Sequence, residues 1–260
     1  MAFISGSFFS KSLDMHTSFC AILPNDKIER PSGGFPTVFL LHGLSDDHTA
    51  WTRFTNIERY AMERGYAVIM PEVQRSFYTD MKYGIRYFTY VTEELPRLAR
   101  ELFALSEKRE DTYVAGLSMG GYGALKCVLS RPDVFCAGVS LSGAVNIAGI
   151  VGSIHSNAMD MEPEIIGMLG NPPVVTEDVD LFKLVDKAAM LEPKKRPRIM
   201  TCCGTEDFLY QDNLAFKKKM EASSLEYRYG EGPGIHEWKF WDTWIVKALD
   251  FFHEGRNRRI

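Results

Sequence analysis

The stretch DTYVAGLSMGGYGALKCVLSRP, residues 111–132, constrains this chain more than any other. An apolar, β-branched run (111–117) ends in a serine set between glycines. A helix-like segment (121–132) follows at once and stops before Pro132. Gly116-Leu117-Ser118-Met119-Gly120 is a GxSxG pattern in the strand–turn–helix context that gives the pattern meaning. So sharp a turn strains the serine backbone and lifts its Oγ clear of the sheet. A side chain at the flanking positions would collide with strand or helix. The helix start also offers free N–H groups to a developing negative charge. Ser118 is therefore a candidate nucleophile, weighed against a Gly-rich turn that merely packs tightly.

The rest of the chain alternates strand and helix signals. Residues 3–23 read as a hairpin or meander, and strands are expected at 37–43, 66–72, 135–143, 197–204 and 225–230. Helical spacing covers 56–65, 90–105, 208–223 and 238–252, with Pro96 placed near a first turn. Such alternation predicts an α/β fold with a mostly parallel central sheet and helices on both faces. Residues 144–190 break the pattern with Gly, Pro and Met, and read as a lid-like insertion in a single domain spanning 1–260. Met159, Met161 and Met168 would suit an adaptable apolar wall there, or ordinary burial.

A serine needs a base, and in this fold an acid and then a histidine follow it in sequence. Three histidines come after Ser118. His155 precedes any acid at a strand end, and His253 sits at the polar end of the last helix. His236, in the loop GEGPGIHEW after the last strand, is the one positioned to reach the serine. The segment MTCCGTEDFLYQDN offers Glu206, Asp207 and Asp212 as the orienting acid. Asp207 sits just past the strand, Glu206 competes with it, and Asp212 falls on a helix face expected to be solvated. The loop LLHGLSDDHTAW would bring the Leu44 N–H beside that of Met119 as an oxyanion hole. Asp46, Asp47 and His48 look like metal ligands at first glance but read better as a solvated turn. Trp51, Phe77, Tyr78 and Trp238 lie in loops that should surround the serine, as candidate substrate-binding rings; plain core packing is the alternative. Arg75 reads as solvated or as a partner for an anionic group.

With these residues placed, the chain resembles the esterase D / tributyrin-esterase branch of the α/β-hydrolases. That branch includes S-formylglutathione hydrolases, feruloyl and acetyl-xylan esterases and the antigen 85 mycolyltransferases. The motifs FLLHGLSDDHTAW, MPEVQRSFYTDMKYG, YVTEELP, AGLSMGGYGALK, SLSGAV, CCGTEDFLY and GIHEWKFWD carry the resemblance from about residue 37 to 244. It implies Ser118 as nucleophile, Asp207 as triad acid, His236 as base, and Leu44 and Met119 as oxyanion donors. It implies short-chain acyl ester hydrolysis without metal or cofactor, and suggests a homodimer or homotetramer. The glutathione-binding loops of the S-formylglutathione hydrolases are not evident.

Composition narrows the remaining classes. A net charge of -4 advertises no basic face, which argues against nucleic acid as a partner. Five cysteines without regular spacing argue against a disulfide framework or zinc site. The N-terminus alternates polar and apolar residues rather than forming a signal peptide, and no run is long enough to span a membrane. A cytoplasmic enzyme acting on a small-molecule ester is the expectation.

Overall fold

The computed structural model describes residues 1–26, 28–153 and 161–257. In chain order they form β1 (Ala2–Ser10), β2 (Met15–Leu23), β3 (Thr37–Leu41), α1 (Ala50–Phe54), α2 (Ile57–Arg64), β4 (Ala67–Pro71), α3 (Tyr87–Thr89) and α4 (Leu95–Leu102). Then come β5 (Thr112–Leu117), α5 (Met119–Ser130), β6 (Ala137–Leu141), α6 (Ile147–Gly152), α7 (Glu162–Leu169) and α8 (Leu181–Ala189). β7 (Arg198–Gly204), α9 (Tyr210–Glu221), β8 (Glu226–Gly232) and α10 (Trp238–Asn257) close the chain.

The strands form one eight-stranded sheet in the order β1-β2-β4-β3-β5-β6-β7-β8. β1, β2 and β4 pair antiparallel, and every pairing from β4 through β8 is parallel. This is the expected α/β-hydrolase-type architecture. The short central strands β3 to β7 are buried end to end, as strands covered on both faces must be. Period-2 alternation sorts their side chains. Phe39 and Leu41 enter a core beneath α4, α5, α8 and α9, whereas Val38 and Leu40 enter a second core beneath α2 and α10.

Two local departures from the expected elements have clear causes. The helix around Pro96 starts earlier than its apolar pattern indicates, at Tyr87. Tyr90–Glu94 is a π-helical turn in which the Leu95 N–H donates to the Tyr90 carbonyl, five residues back. The wider turn precedes the proline, whose missing N–H rules out an ordinary bond there. The stretch 144–190 is also more divided than a lid. α8 packs against α5 and α9 as a crossover helix between β6 and β7. Among the described residues of that stretch, several from Ala144 to Ser153 around α6 and Met161 just before α7 line the site described next, and His155 and Met159 lie outside the described residues.

The sheet places the site. From β3 the chain moves outward to β4, then returns past β3 to β5 and continues to the other edge. β3 and β5 thus flank the topological switch point, where the loops leaving the strand ends diverge and open a crevice.

Candidate active site

The β5–α5 turn is built from contact limits. Ser118 adopts φ 54°, ψ −119°, a conformation that side-chain-bearing residues rarely take. It is held there by main-chain bonds: its N–H donates to Leu141 O at 2.9 Å, and its carbonyl accepts from Ala144 N–H at 3.1 Å. A Cβ on Gly116 would lie 2.3 Å from the Gly120 carbonyl oxygen. One on Gly120 would lie 2.4 Å from that of Leu41. Both glycines are therefore required for α5 to start directly against β3 and β5.

The structure brings Ser118, His236 and Asp207 together. His236 Nε2 is 3.0 Å from Ser118 Oγ, and His236 Nδ1 is 2.8 Å from Asp207 Oδ2. The acceptor-only carboxylate requires the proton on Nδ1, which leaves Nε2 as the acceptor for the serine hydroxyl. Asp207 Oδ1 accepts from Leu209 N–H at 2.9 Å. Burial pushes the Asp207 carboxyl up, but the hydrogen bonds from His236 and Leu209 outweigh it and hold the group below its ordinary range, ionised. The imidazole lies between Phe208 and Trp241, with ring centroids 4.7 and 4.9 Å away.

Glu206, the competing acid, does something else. It is exposed, its Oε2 accepts from Gly234 N–H at 2.6 Å, and its own N–H donates to Gly234 O at 3.2 Å. It clamps the loop that carries His236, two residues upstream of that side chain.

The HG loop after β3 is equally determined. His42 is buried. Its Nε2 accepts from Val73 N–H at 3.2 Å and its Nδ1–H donates to Gly43 O at 2.8 Å. Burial lowers the His42 pKa and keeps the ring neutral. Tyr78 donates its hydroxyl proton to the His42 carbonyl at 2.9 Å, and Asp46 Oδ2 accepts from Gly43 N–H at 3.2 Å. Leu44 and Met119 both line the pocket beside Ser118. The Met119 N–H, first in α5, has no intrahelical acceptor to bond.

Of the four aromatic candidates, Phe77 and Trp238 line the pocket. Trp51 and Tyr78 correct the sequence reading: both are fully buried, at 1% and 0% exposure. Trp51 spends its Nε1–H on Leu41 O at 3.0 Å, and Tyr78 spends its hydroxyl on His42. Each satisfied polar group anchors the ring behind the wall rather than in it. Asp212 corrects it the other way. It lies in the first turn of α9, lines the pocket, and its Oδ1 accepts from Asn146 Nδ2 at 2.8 Å. Asp46, Asp47 and His48 stand in a half-buried turn and not in a metal cluster: Asp47 accepts from the Thr49 N–H and hydroxyl, and His48 faces Glu72. Arg75 is ion-paired with Glu164 of α7. Met161 lines the pocket, whereas Met168 is buried core. No group of three or more metal-binding side chains occurs among the described residues. Nor is any described helix long and apolar enough to cross a membrane.

The cavity measures about 860 Å³ and opens over Ser118 and His236. It is room for an acyl chain and a leaving group on either side of one reacting carbon. Such an arrangement can transfer an acyl group through a covalent serine intermediate.

Known proteins share this frame. The Esterase family model matches residues 10–252. An acetyl esterase of Caldicellulosiruptor saccharolyticus is 32% identical over 263 residues, covering 96% of this chain and 98% of the relative. The substrate-bound fluorophosphonate-binding serine hydrolase F of Staphylococcus aureus is 36% identical, with a TM-score of 0.87 over 97% of this chain and 98% of that one. The S-formylglutathione hydrolase of the same organism is 37% identical, with a TM-score of 0.84 over the same shares. The chain belongs to the Esterase family and is a carboxylic ester hydrolase of the α/β-hydrolase fold.

Proposed function

We propose that this protein is a serine carboxylesterase of the esterase D / tributyrin-esterase type that hydrolyses short-chain acyl esters, acetyl to butyryl. The observation that carries the reading is the unbroken hydrogen-bond chain Ser118–His236–Asp207 at the floor of the pocket. The likeness to an acetyl esterase over nearly the full length supports the short acyl group.

In this mechanism His236 Nε2 takes the Ser118 proton as Oγ attacks the ester carbonyl. The Leu44 and Met119 N–H groups hold the oxyanion of the tetrahedral intermediate. Asp207 keeps the imidazole in the required tautomer and stabilises the imidazolium. His236 then gives its proton to the leaving alcohol, and the alcohol departs from an acyl-Ser118. Water, deprotonated by the same nitrogen, attacks the acyl-enzyme and regenerates the serine.

Hydrolysis of 4-nitrophenyl esters from C2 to C12 tests this. Turnover should peak at C2–C4 and vanish in Ser118→Ala. A second reading, thioester hydrolysis of the S-formylglutathione type, is favoured by the 37% identity to such an enzyme. Turnover of S-formylglutathione without turnover of any oxygen ester would select it.

A further inference from the structure

The pocket that holds Ser118 has a charge pattern which the esterase chemistry does not use. Among the described residues its lining contains three carboxylates, Asp46, Asp212 and Glu237, and no lysine or arginine. The carboxylates are spread around the cavity: Asp46 on the loop after β3, Asp212 at the start of α9, Glu237 beside the base His236.

The hydrogen bonds to Asp46 and Asp212 come from neutral groups. Asp212 Oδ1 is engaged by the neutral Asn146 amide, whose own Oδ1 is occupied by Gly149 N–H at the start of α6. Asp46 is bonded to a main-chain N–H, and burial pushes its carboxyl up more than that bond and its charged neighbours pull it down. Arg53 is close enough to act on Asp46 and Asp47, but it lies over the Phe54 ring and outside the lining. The aromatic members of the wall, Phe208, Trp238 and Trp241, bring no positive charge, and rings of this kind favour cations over anions.

We infer that the pocket excludes anions: the ester turned over at Ser118 is neutral or cationic in both its acyl and alcohol parts. A carboxylate-bearing substrate would enter a partly desolvated cleft already holding like charge, where field lines concentrate and screening is weak. A glutathione thioester, which carries two carboxylates against one ammonium group, is the wrong class for such a cleft. The inference rests on Ser118 being the nucleophile of an ester hydrolase, and it supplies what that reading lacks, a substrate charge.

Three acetates of similar size test it: 3,3-dimethylbutyl acetate (neutral), acetylcholine (cationic) and the acetate ester of 3-hydroxypropanesulfonate (anionic). At low ionic strength the anionic ester should show kcat/KM at least about tenfold below the neutral one, with the cationic ester equal to or above it. Raising salt from about 10 mM to about 500 mM should shrink the neutral-to-anionic ratio in the unmodified enzyme. Asp212→Asn and Glu237→Gln should each shrink the same ratio at low salt. Anionic and neutral esters turned over within about twofold of each other, or a ratio indifferent to salt and to both substitutions, would overturn the inference while leaving the esterase reading intact. Failure to hydrolyse the neutral acetate at all would overturn both.

Discussion

On the floor of the Ser118 pocket, position is dictated by the backbone. Ser118 is pinned by main-chain bonds at its N–H and its carbonyl, Gly116 and Gly120 admit no side chain, and the His42–Gly43 turn is bonded through both carbonyls, the Gly43 N–H and the His42 ring. The cap above it is held by side chains instead: Asn146 to Asp212, Arg75 to Glu164, and apolar contacts of Ile150 and Met161. A Cβ on Gly152 of α6 would meet nothing within 4 Å. The floor can do one kind of chemistry because its geometry has almost no freedom, whereas the cap can be repacked without moving the reacting atoms. Catalytic power and substrate choice therefore sit on different structural footings.

The comparison breaks if floor and cap respond alike to substitution. The largest effect is expected at Ser118→Ala and His236→Ala, each lowering kcat by roughly 10⁴–10⁶ in steady-state ester hydrolysis. Asp207→Asn should follow at roughly 10³–10⁴, since a neutral amide no longer selects the Nδ1–H tautomer. Neither Ser118→Ala nor Asp207→Asn should reduce substrate discrimination among residual turnovers.

Glycine substitutions sharpen the contrast in stability. Gly120→Ala drives a Cβ into the Leu41 carbonyl and should cost about 2–4 kcal/mol in denaturant unfolding. Gly152→Ala should be neutral or stabilising by up to about 1 kcal/mol, because the helix gains a better former and nothing is displaced.

Buried charge on the floor side should show in the pH dependence of the thermal midpoint. Lys126 of α5 is buried, and burial pushes its pKa down to about 8; its Nζ donates to Tyr78 O and Thr79 Oγ1. Between that value and the ordinary 10.5 the unfolded chain binds a proton the native one does not, so stability rises with pH across this window. Lys126→Met should raise the midpoint at neutral pH and flatten that rise. His42 works in acid with the same sign. Its native pKa lies below the ordinary 6.5, so the unfolded chain gains a proton first and stability falls as pH drops below that value. His42→Gln should lessen the loss between pH 7 and 5. The smallest effect belongs to the cap: Ile150→Phe should shift acyl-length preference toward C2 by only a few-fold, with little change in C2 turnover.

The same division decides what could be read from the sequence. The floor was legible because steric necessity leaves residue-type marks: a serine between glycines after a β-branched run, a histidine in a glycine-rich loop, an aspartate just past a strand. The strand–helix alternation likewise requires a parallel sheet, whose switch point then locates the site. Burial direction leaves no such mark. Trp51 and Tyr78 stand in the right loops but turn inward to bond main-chain carbonyls. Asp212 has the sequence signature of a solvated helix residue, and only the fold brings the Asn146 amide, just before α6, to its carboxylate. Glu206 and Asp207 are adjacent, and only the path of the Gly234 loop separates a clamp from an imidazole partner. The helix before Pro96 starts earlier than its pattern because a π-helical turn absorbs the proline's missing bond.

The central claim is that Ser118 is the nucleophile of this hydrolase. Incubation with a small fluorophosphonate, followed by peptide mass spectrometry and parallel assay of ester turnover, tests it most directly. One phosphonyl group per chain is expected on the peptide containing Ser118, with turnover lost in proportion to labelling and no label in Ser118→Ala. Turnover that persists in a fully labelled protein, or a label that lands on another residue while activity falls, would contradict it.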